Sequence, residues 1–261
     1  MWDDLQNAHN KDWRSKLINI YPGVDTERFH PLPKDDANIS GRHAREHSEF
    51  LNLPIELFLK PHICEFGRSD VLKDKDQAVA AFALVAKEEP DINMFMNLDE
   101  GMEPGIAERV HKIIDDNNLK DRIHIFSPKD LPQNGVGSKI LPNIIKTSKA
   151  FISMSVMEGF GMAACEAAAS GVPVIGTEQI PVVTDVIAPN GGGTVVPGKD
   201  VRAAADAILM YLRMEEDDWQ AVADKAHGSV VPAYTWPHII REMFAQFEQH
   251  GINLTPKEVD S

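Results

Sequence analysis

Two carboxylates flank a glycine-rich turn in the stretch MEGFGMAACE, where Glu158 and Glu166 have seven residues between them. Gly159 and Gly161 in that turn allow positive φ and leave room for a ligand to approach the backbone. A helix beginning near Phe160 would aim its unpaired N–H groups, and the positive end of its dipole, at an anion such as a phosphate. Glu158, ahead of the helix, is a fixed acceptor suited to sugar hydroxyls. Glu166, about two turns inside it, can accept from both hydroxyls of a ribose. Ala163, Ala164, Ala167 and Ala168 carry side chains small enough to bring helix and ligand close. On spacing alone a second reading stands beside this one: a capped helix packed tightly on a strand.

The stretch FGRSDVLKDKD (66–76) adds cations. Arg68 offers a bidentate guanidinium and Lys73 an ammonium, a pair suited to a diphosphate. The competing arrangement is a surface one, with Arg68 on Asp70 and Lys73 on Asp70 or Asp76. We favour the ligand role for Arg68 and the surface role for Lys75. A third loop, IGTEQIP (175–181), follows another apolar run.

These loops need a scaffold, and the apolar periodicity supplies one. Short buried-strand patterns at 61–67, 91–98, 122–128, 150–156, 172–177 and 192–197 alternate with helical patterns at 76–89, 106–118, 140–148 and 161–170. That alternation predicts an α/β fold, a doubly wound parallel sheet covered on both faces. In such sheets ligands bind beyond the carboxyl ends of the strands, where all three loops fall. Residues 201–226 read as helical throughout, and 238–250 as an amphipathic helix forming a C-terminal helical tail. The polar segment 32–50, with His43 and His47 and with His30 just before it, reads as a solvated loop. No His or Cys pair there has metal-ligand spacing.

With 26 Lys and Arg against 40 Asp and Glu, the net charge is −14. Nucleic acid is therefore not an expected partner, and an anionic ligand must be held by a local device. Cys64 and Cys165, far apart in apolar contexts, are expected to be buried free thiols in a reducing compartment. The opening MWDDLQNAHNKDW lacks a signal-like apolar run, and no stretch approaches the length of a transmembrane segment. The expected location is cytoplasmic. An NAD-type enzyme is disfavoured, because no G-x-G-x-x-G follows the first strand.

Several motifs, in order, resemble those of the C-terminal, donor-binding half of retaining GT-B glycosyltransferases. This is the group 1 family that includes sucrose and sucrose-phosphate synthases. IYPGVDTERFHP (20–31) resembles the segment that opens this half. FGRSDVLKDKDQAVAAF resembles the family's Gly-Arg followed five residues later by Lys. MEGFGMAACEAAASGVPVIGT resembles its paired glutamates and the Gly-Val-Pro-Val strand. The resemblance covers about residues 18–250. One departure is TEQIPVVTD, with Glu178-Gln179 where the family usually has two glycines and Val182 where it has an acid.

The resemblance implies a Rossmann-like nucleotide-sugar-binding domain over 18–230 and a C-terminal crossing helix and tail over 231–261. Residues 1–17 would be a remnant or linker of an acceptor-binding N-terminal domain that this chain does not include. It implies a retaining hexosyltransferase that passes a sugar from a UDP-, ADP- or GDP-linked donor to an acceptor hydroxyl. Arg68 and Lys73 would hold the diphosphate, Glu158 the donor sugar and Glu166 the ribose. The backbone of Gly159, Phe160, Gly161, Met162 and Ala163 would cradle sugar and phosphate. No metal or other cofactor is required in that scheme. The alternative is a non-catalytic module that binds a nucleotide or a partner. The apolar face of Ile239, Ile240, Met243, Phe244 and Phe247 would serve the crossing helix, or pack on the domain itself.

Overall fold

The fold comes from a computed structural model that describes residues 20–33, 39–51, 53–127 and 137–252. Residues 1–17, read as a remnant or linker, lie outside them. Two compact units divide the chain. One is Val24–Val231, and the other joins Met1–Gly23 to Pro232–Ser261.

The larger unit is built on a six-stranded parallel sheet. Its strands are β1 (His62–Glu65), β2 (Asn93–Asn97), β3 (Ile123–Phe126), β4 (Ala150–Ser153), β5 (Val174–Thr177) and β6 (Gly193–Val196). The order is β3-β2-β1-β4-β5-β6, so the chain reverses direction across the sheet between β1 and β4. Those two strands are neighbours, with Ile63 opposite Ala150 and Cys64 opposite Phe151. The loops leaving β1 and β4 therefore open side by side at the switch point, the position where such sheets take ligands.

Helices follow the strands: α3 (Lys75–Glu88) after β1, α4 (Pro104–Asp116) after β2, α5 (Gly137–Thr147) after β3, and α6 (Met162–Ala169) after β4. After β6 come α7 (Val201–Arg213) and α8 (Glu216–Val230). Successive side chains alternate between faces. Met94 and Met96 join the core formed with α3, α4 and α7, which includes Phe82, Ile152 and Ile208. Phe95 points the other way and stacks on Phe58 at 5.0 Å and Phe126 at 5.9 Å. The central strands β1, β4 and β5 are buried along nearly their whole length, as strands covered on both faces are, and their apolar residues made them visible in the sequence.

Two expectations need correction. Residues 201–226 are not one helix: Met214 is extended, and α8 restarts on Glu216, Asp217 and Asp218. An acidic first turn complements the positive end of a new helix dipole. The larger correction concerns 32–50. Much of it lies in the helix Ile39–Leu51, α1, which precedes the short α2 (Glu56–Leu59). His47 on α1 is 1% exposed, with its ring 5.3 Å from Phe58 and both ring nitrogens unpartnered. A neutral imidazole here serves as an aromatic side chain, so the apolar face of α1 looks polar in sequence.

That burial has a pH signature. Burial, helped by His43 and His62, lowers the His47 pKa to about 3, and burial lowers His124 to about 4. Neutral imidazole is favoured when folded, whereas the unfolded chain takes up protons below about 6.5. Stability is thus full above pH 6.5 and lost as pH falls toward 3. At pH 5, His47 alone should cost up to about 2 kcal/mol. Urea midpoints measured from pH 7.5 to 5 check this, and His47→Phe should flatten the slope.

In the smaller unit, α9 (Trp236–Gln249) is capped by Thr235, whose hydroxyl accepts from the His238 N–H at 3.4 Å. Of its apolar face, Ile239 is buried, Met243 and Phe247 are half-buried, and Ile240 and Phe244 are exposed.

Candidate functional site

The loop leaving β1 is fastened at several points. Gly67 donates its N–H to Asn97 Oδ1 at 3.0 Å, and Asn97 Nδ2 donates to the Gly67 carbonyl at 2.8 Å. Ser69, fully buried, accepts from the Asp99 N–H at 2.8 Å. Asp70 accepts from the Leu72 N–H at 3.1 Å and starts a 3-10 turn over Val71–Lys73. The Val156 N–H then donates to the Leu72 carbonyl at 2.8 Å, tying this loop to the one leaving β4. These bonds deliver the Lys73 ammonium onto the Glu158 carboxylate. The Ser155 hydroxyl donates to the same oxygen at 3.2 Å. Lys73 and Glu158 are 13% and 19% exposed, sheltered but reachable.

The turn before α6 separates its two glycines. Gly161 has φ 104°, and a Cβ there would lie 2.5 Å from Ile180 Cγ2 and 3.0 Å from Val182 Cγ1. No L side chain suits that position. Gly159, by contrast, does not adopt positive φ, so the sequence expectation for it is corrected. It is exposed, and a Cβ there meets nothing within 4 Å. The space in front of Gly159 is what a ligand could use. Helix α6 begins with Cys165 donating to the Gly161 carbonyl at 3.0 Å. The N–H groups of Met162, Ala163 and Ala164 fall ahead of the first helical bond and have no intrahelical acceptor.

The alanines divide as well. Ala164, Ala167 and Ala168 are buried and seat α6 against β4, β5 and α8. That face is packing, contrary to the expectation that it faces a ligand. Met162 and Ala163 are half-buried, while the Phe160 ring is buried and its carbonyl accepts from the Val182 N–H at 2.9 Å. Val182 turns inward beneath Gly161. Glu178 turns to the loop after β6 and accepts from the Gly198 N–H at 2.7 Å.

Glu166 is largely desolvated. Burial raises its carboxyl to about 7, opposed by the nearby charge of Arg28 and reinforced by that of Asp25. Asp25 and Arg28 belong to the 20–31 segment, and the sequence reading gave neither a place at Glu166. Only a long-range approach of about 140 residues brings them there, and no local pattern signals it.

Two cations differ from expectation. Arg68 is 69% exposed and bonds Asp70 at 2.8 Å, the pairing the sequence reading disfavoured for it. Lys75, read as a solvated surface residue, is wholly buried and paired with Glu65, itself 3% exposed. Cys64 and Cys165 are free and buried, with burial pushing each thiol to about 12. Among the described residues no group of three or more His, Cys, Asp or Glu could hold a metal ion. No helix of the described residues is long and apolar enough to cross a membrane.

A parallel sheet in this order, with paired charges and a glycine-started helix at its switch point, defines a Rossmann-like α/β domain of the kind in the C-terminal half of GT-B glycosyltransferases. The profile of the glycosyl transferases group 1 family matches residues 60–227, and the chain belongs to that family. It is 24% identical over 248 residues to a D-inositol 3-phosphate glycosyltransferase of Mycolicibacterium smegmatis, covering 94% of this chain and 50% of that one. The chain spans about half the length of the curated relatives it matches. Its fold resembles that of Anabaena Alr3699/HepE in complex with UDP-glucose, with TM-score 0.73, 15% identity, and 95% and 61% of the two chains covered. It also resembles the C-terminal domain of LpcC, a group 1 family glycosyl transferase from Francisella tularensis. There the TM-score is 0.64 at 20% identity, covering 82% of this chain and all of that one.

Proposed function

We propose that this chain is the donor-binding part of a retaining hexosyltransferase that moves a sugar from a nucleotide-diphosphate sugar to an acceptor hydroxyl. The observation that carries this is the meeting of Lys73 and Glu158 at the switch point, beside the Gly161 start of α6. The name of the mycobacterial relative and the UDP-glucose in the Anabaena complex support the reading. Lys73 leaves Glu158 for the diphosphate, and Arg68 exchanges Asp70 for the same ligand. The freed Glu158 then accepts from sugar hydroxyls over the open face of Gly159, and Glu166 accepts from the ribose.

As the anomeric bond to the diphosphate breaks, negative charge grows on the departing oxygens. The two cations and the unpaired N–H groups at the start of α6 stabilise it, each strong donor contributing roughly 2.7–4 kcal/mol. This charge is supplied by the chain itself, so the proposed transfer uses no metal or other cofactor. The acceptor is held by a further, N-terminal domain.

A thermal-shift panel of UDP-, ADP- and GDP-linked sugars tests this reading. One base should raise the melting temperature, and Arg68→Ala should remove most of that shift while leaving the unliganded melting temperature unchanged. Full retention of the shift in Arg68→Ala would remove Arg68 from the site.

Glu166 makes the affinity pH-dependent. Ribose hydroxyls donate to the ionised carboxylate, and the free protein holds a proton there below about 7. Nucleotide-sugar affinity should therefore rise about tenfold from pH 6 to 8, with proton release on binding at the lower pH. Calorimetry in buffers of different ionisation enthalpy reads both effects. Glu166→Gln should bind more weakly and without the slope.

A further inference from the structure

Directly beneath the cation-bearing loop lies a buried ion pair with a specific set of bonds. Lys75 is the first residue of α3, and its ammonium reaches Glu65 at the end of β1 and Asn97 Oδ1 at 3.2 Å. Both charges are almost entirely withdrawn from water. The same Asn97 oxygen accepts from Gly67, and the Asn97 amide returns a bond to the Gly67 carbonyl. The other oxygen of Glu65 lies against Gly67, 3.4 Å from where a Cβ would stand. Asn97 thus clamps the residue immediately before Arg68, and the Lys75–Glu65 pair holds Asn97 from below. The left-handed Asp74, at φ 44°, joins the 3-10 turn carrying Lys73 to Lys75.

A buried ion pair is weak evidence for stability, because desolvating both charges offsets their attraction, and apolar replacement of the whole pair is often neutral. Stability alone therefore does not account for it. Position does. Burial pushes the Glu65 carboxyl up, while Lys75 and then Lys73 pull it down. Lys75 is thus the close counter-charge that satisfies Glu65, which leaves the more distant Lys73 available to other partners.

We infer that Glu65, Lys75 and Asn97 form a positioning network that fixes Gly67 and neutralises the floor of the site, so that Arg68 and Lys73 meet a diphosphate. This rests on the diphosphate-binding reading of the 66–73 loop and assigns it three residues that touch no ligand. Neutralisation within the network leaves the Lys73 charge directed outward, and the Gly67 clamp sets the start of the loop.

The test uses the 261-residue chain with UDP, ADP and GDP and their three nucleosides as probes. The quantity measured is the ratio of nucleoside to diphosphate dissociation constants, which isolates what the diphosphate adds. In Glu65→Leu/Lys75→Met the melting temperature should stay within about 3 °C of wild type while that ratio falls at least tenfold. Asn97→Ala, which strands no buried charge, should lower the ratio as well and serves if the double variant does not fold. An unchanged ratio in the folded variants overturns the inference. So does a parallel loss of nucleoside and diphosphate binding, which would mark the network as merely structural. A wild-type chain that binds none of the six probes overturns the donor-binding reading itself, and this inference with it.

Discussion

Lys73→Ala is expected to weaken nucleotide-sugar binding about 100-fold, equivalent to roughly 2.7 kcal/mol, with the sheet and α6 folded as before. The size follows from position. Lys73 is 13% exposed, so its ammonium works in a partly desolvated setting where a charge-assisted bond to phosphate is strong. The loss should exceed that in Arg68→Ala, because Arg68 is 69% exposed and more fully screened by water. Glu158 loses its cation in Lys73→Ala but keeps the Ser155 hydroxyl as a donor. Lys73→Arg should not restore affinity, because the guanidinium fork cannot reproduce a point charge in the same sheltered space. Calorimetric titration with the donor found in the thermal-shift panel gives these affinities. Circular dichroism shows whether the fold survives.

The second large effect separates the two glycines. Gly161→Ala should destabilise the domain by about 3 kcal/mol, combining a strained backbone with a steric clash. Its Cβ would sit 2.5 Å from Ile180 Cγ2 at φ 104°, and Ile180 is fully buried with nowhere to move. Gly159→Ala should change stability by less than about 0.5 kcal/mol, since its Cβ enters open space. Gly159→Val should leave stability similarly intact yet reduce donor affinity, because the added branches fill the ligand's space. Urea denaturation of the three variants reads the first contrast, and donor titration reads the second. Equal stability losses at both positions would contradict the distinction.

The two glycines also show where sequence reading stops. MEGFGMAACE announced a glycine turn before a helix, which is local information. Which glycine carries positive φ depends on Ile180 and Val182, held against the turn by the fold. The six strands were legible because each carries closely spaced apolar residues between turn-forming segments, even where His62, Asn93 or His124 interrupts the run. Lys73 and Glu158 were legible as chemistry but not as a bonded pair, since 85 residues separate them. Lys75 was misjudged for a related reason. A lysine amid aspartates at a helix start looks solvated, and its partner Glu65 lies at the end of a strand whose apolar neighbours hide it. Helix α1 escaped because His47 does the work of a phenylalanine, and an uncharged imidazole cannot be told from a charged one by its letter. The alanines of α6 were assigned to a ligand, whereas three of them make the close seat of the helix on the sheet.

On the proposed function, the switch point between β1 and β4 holds a nucleotide sugar. The most direct measurement is a crystal structure of this chain with whichever of UDP-, ADP- or GDP-glucose raises its melting temperature most. The expected structure has ribose hydroxyls on Glu166 and the diphosphate between Lys73 and the N–H groups of Met162 and Ala163. The sugar should lie over Gly159, with the Lys73–Glu158 pair opened. A nucleotide bound elsewhere, or at the switch point with Lys73 still on Glu158, would contradict it.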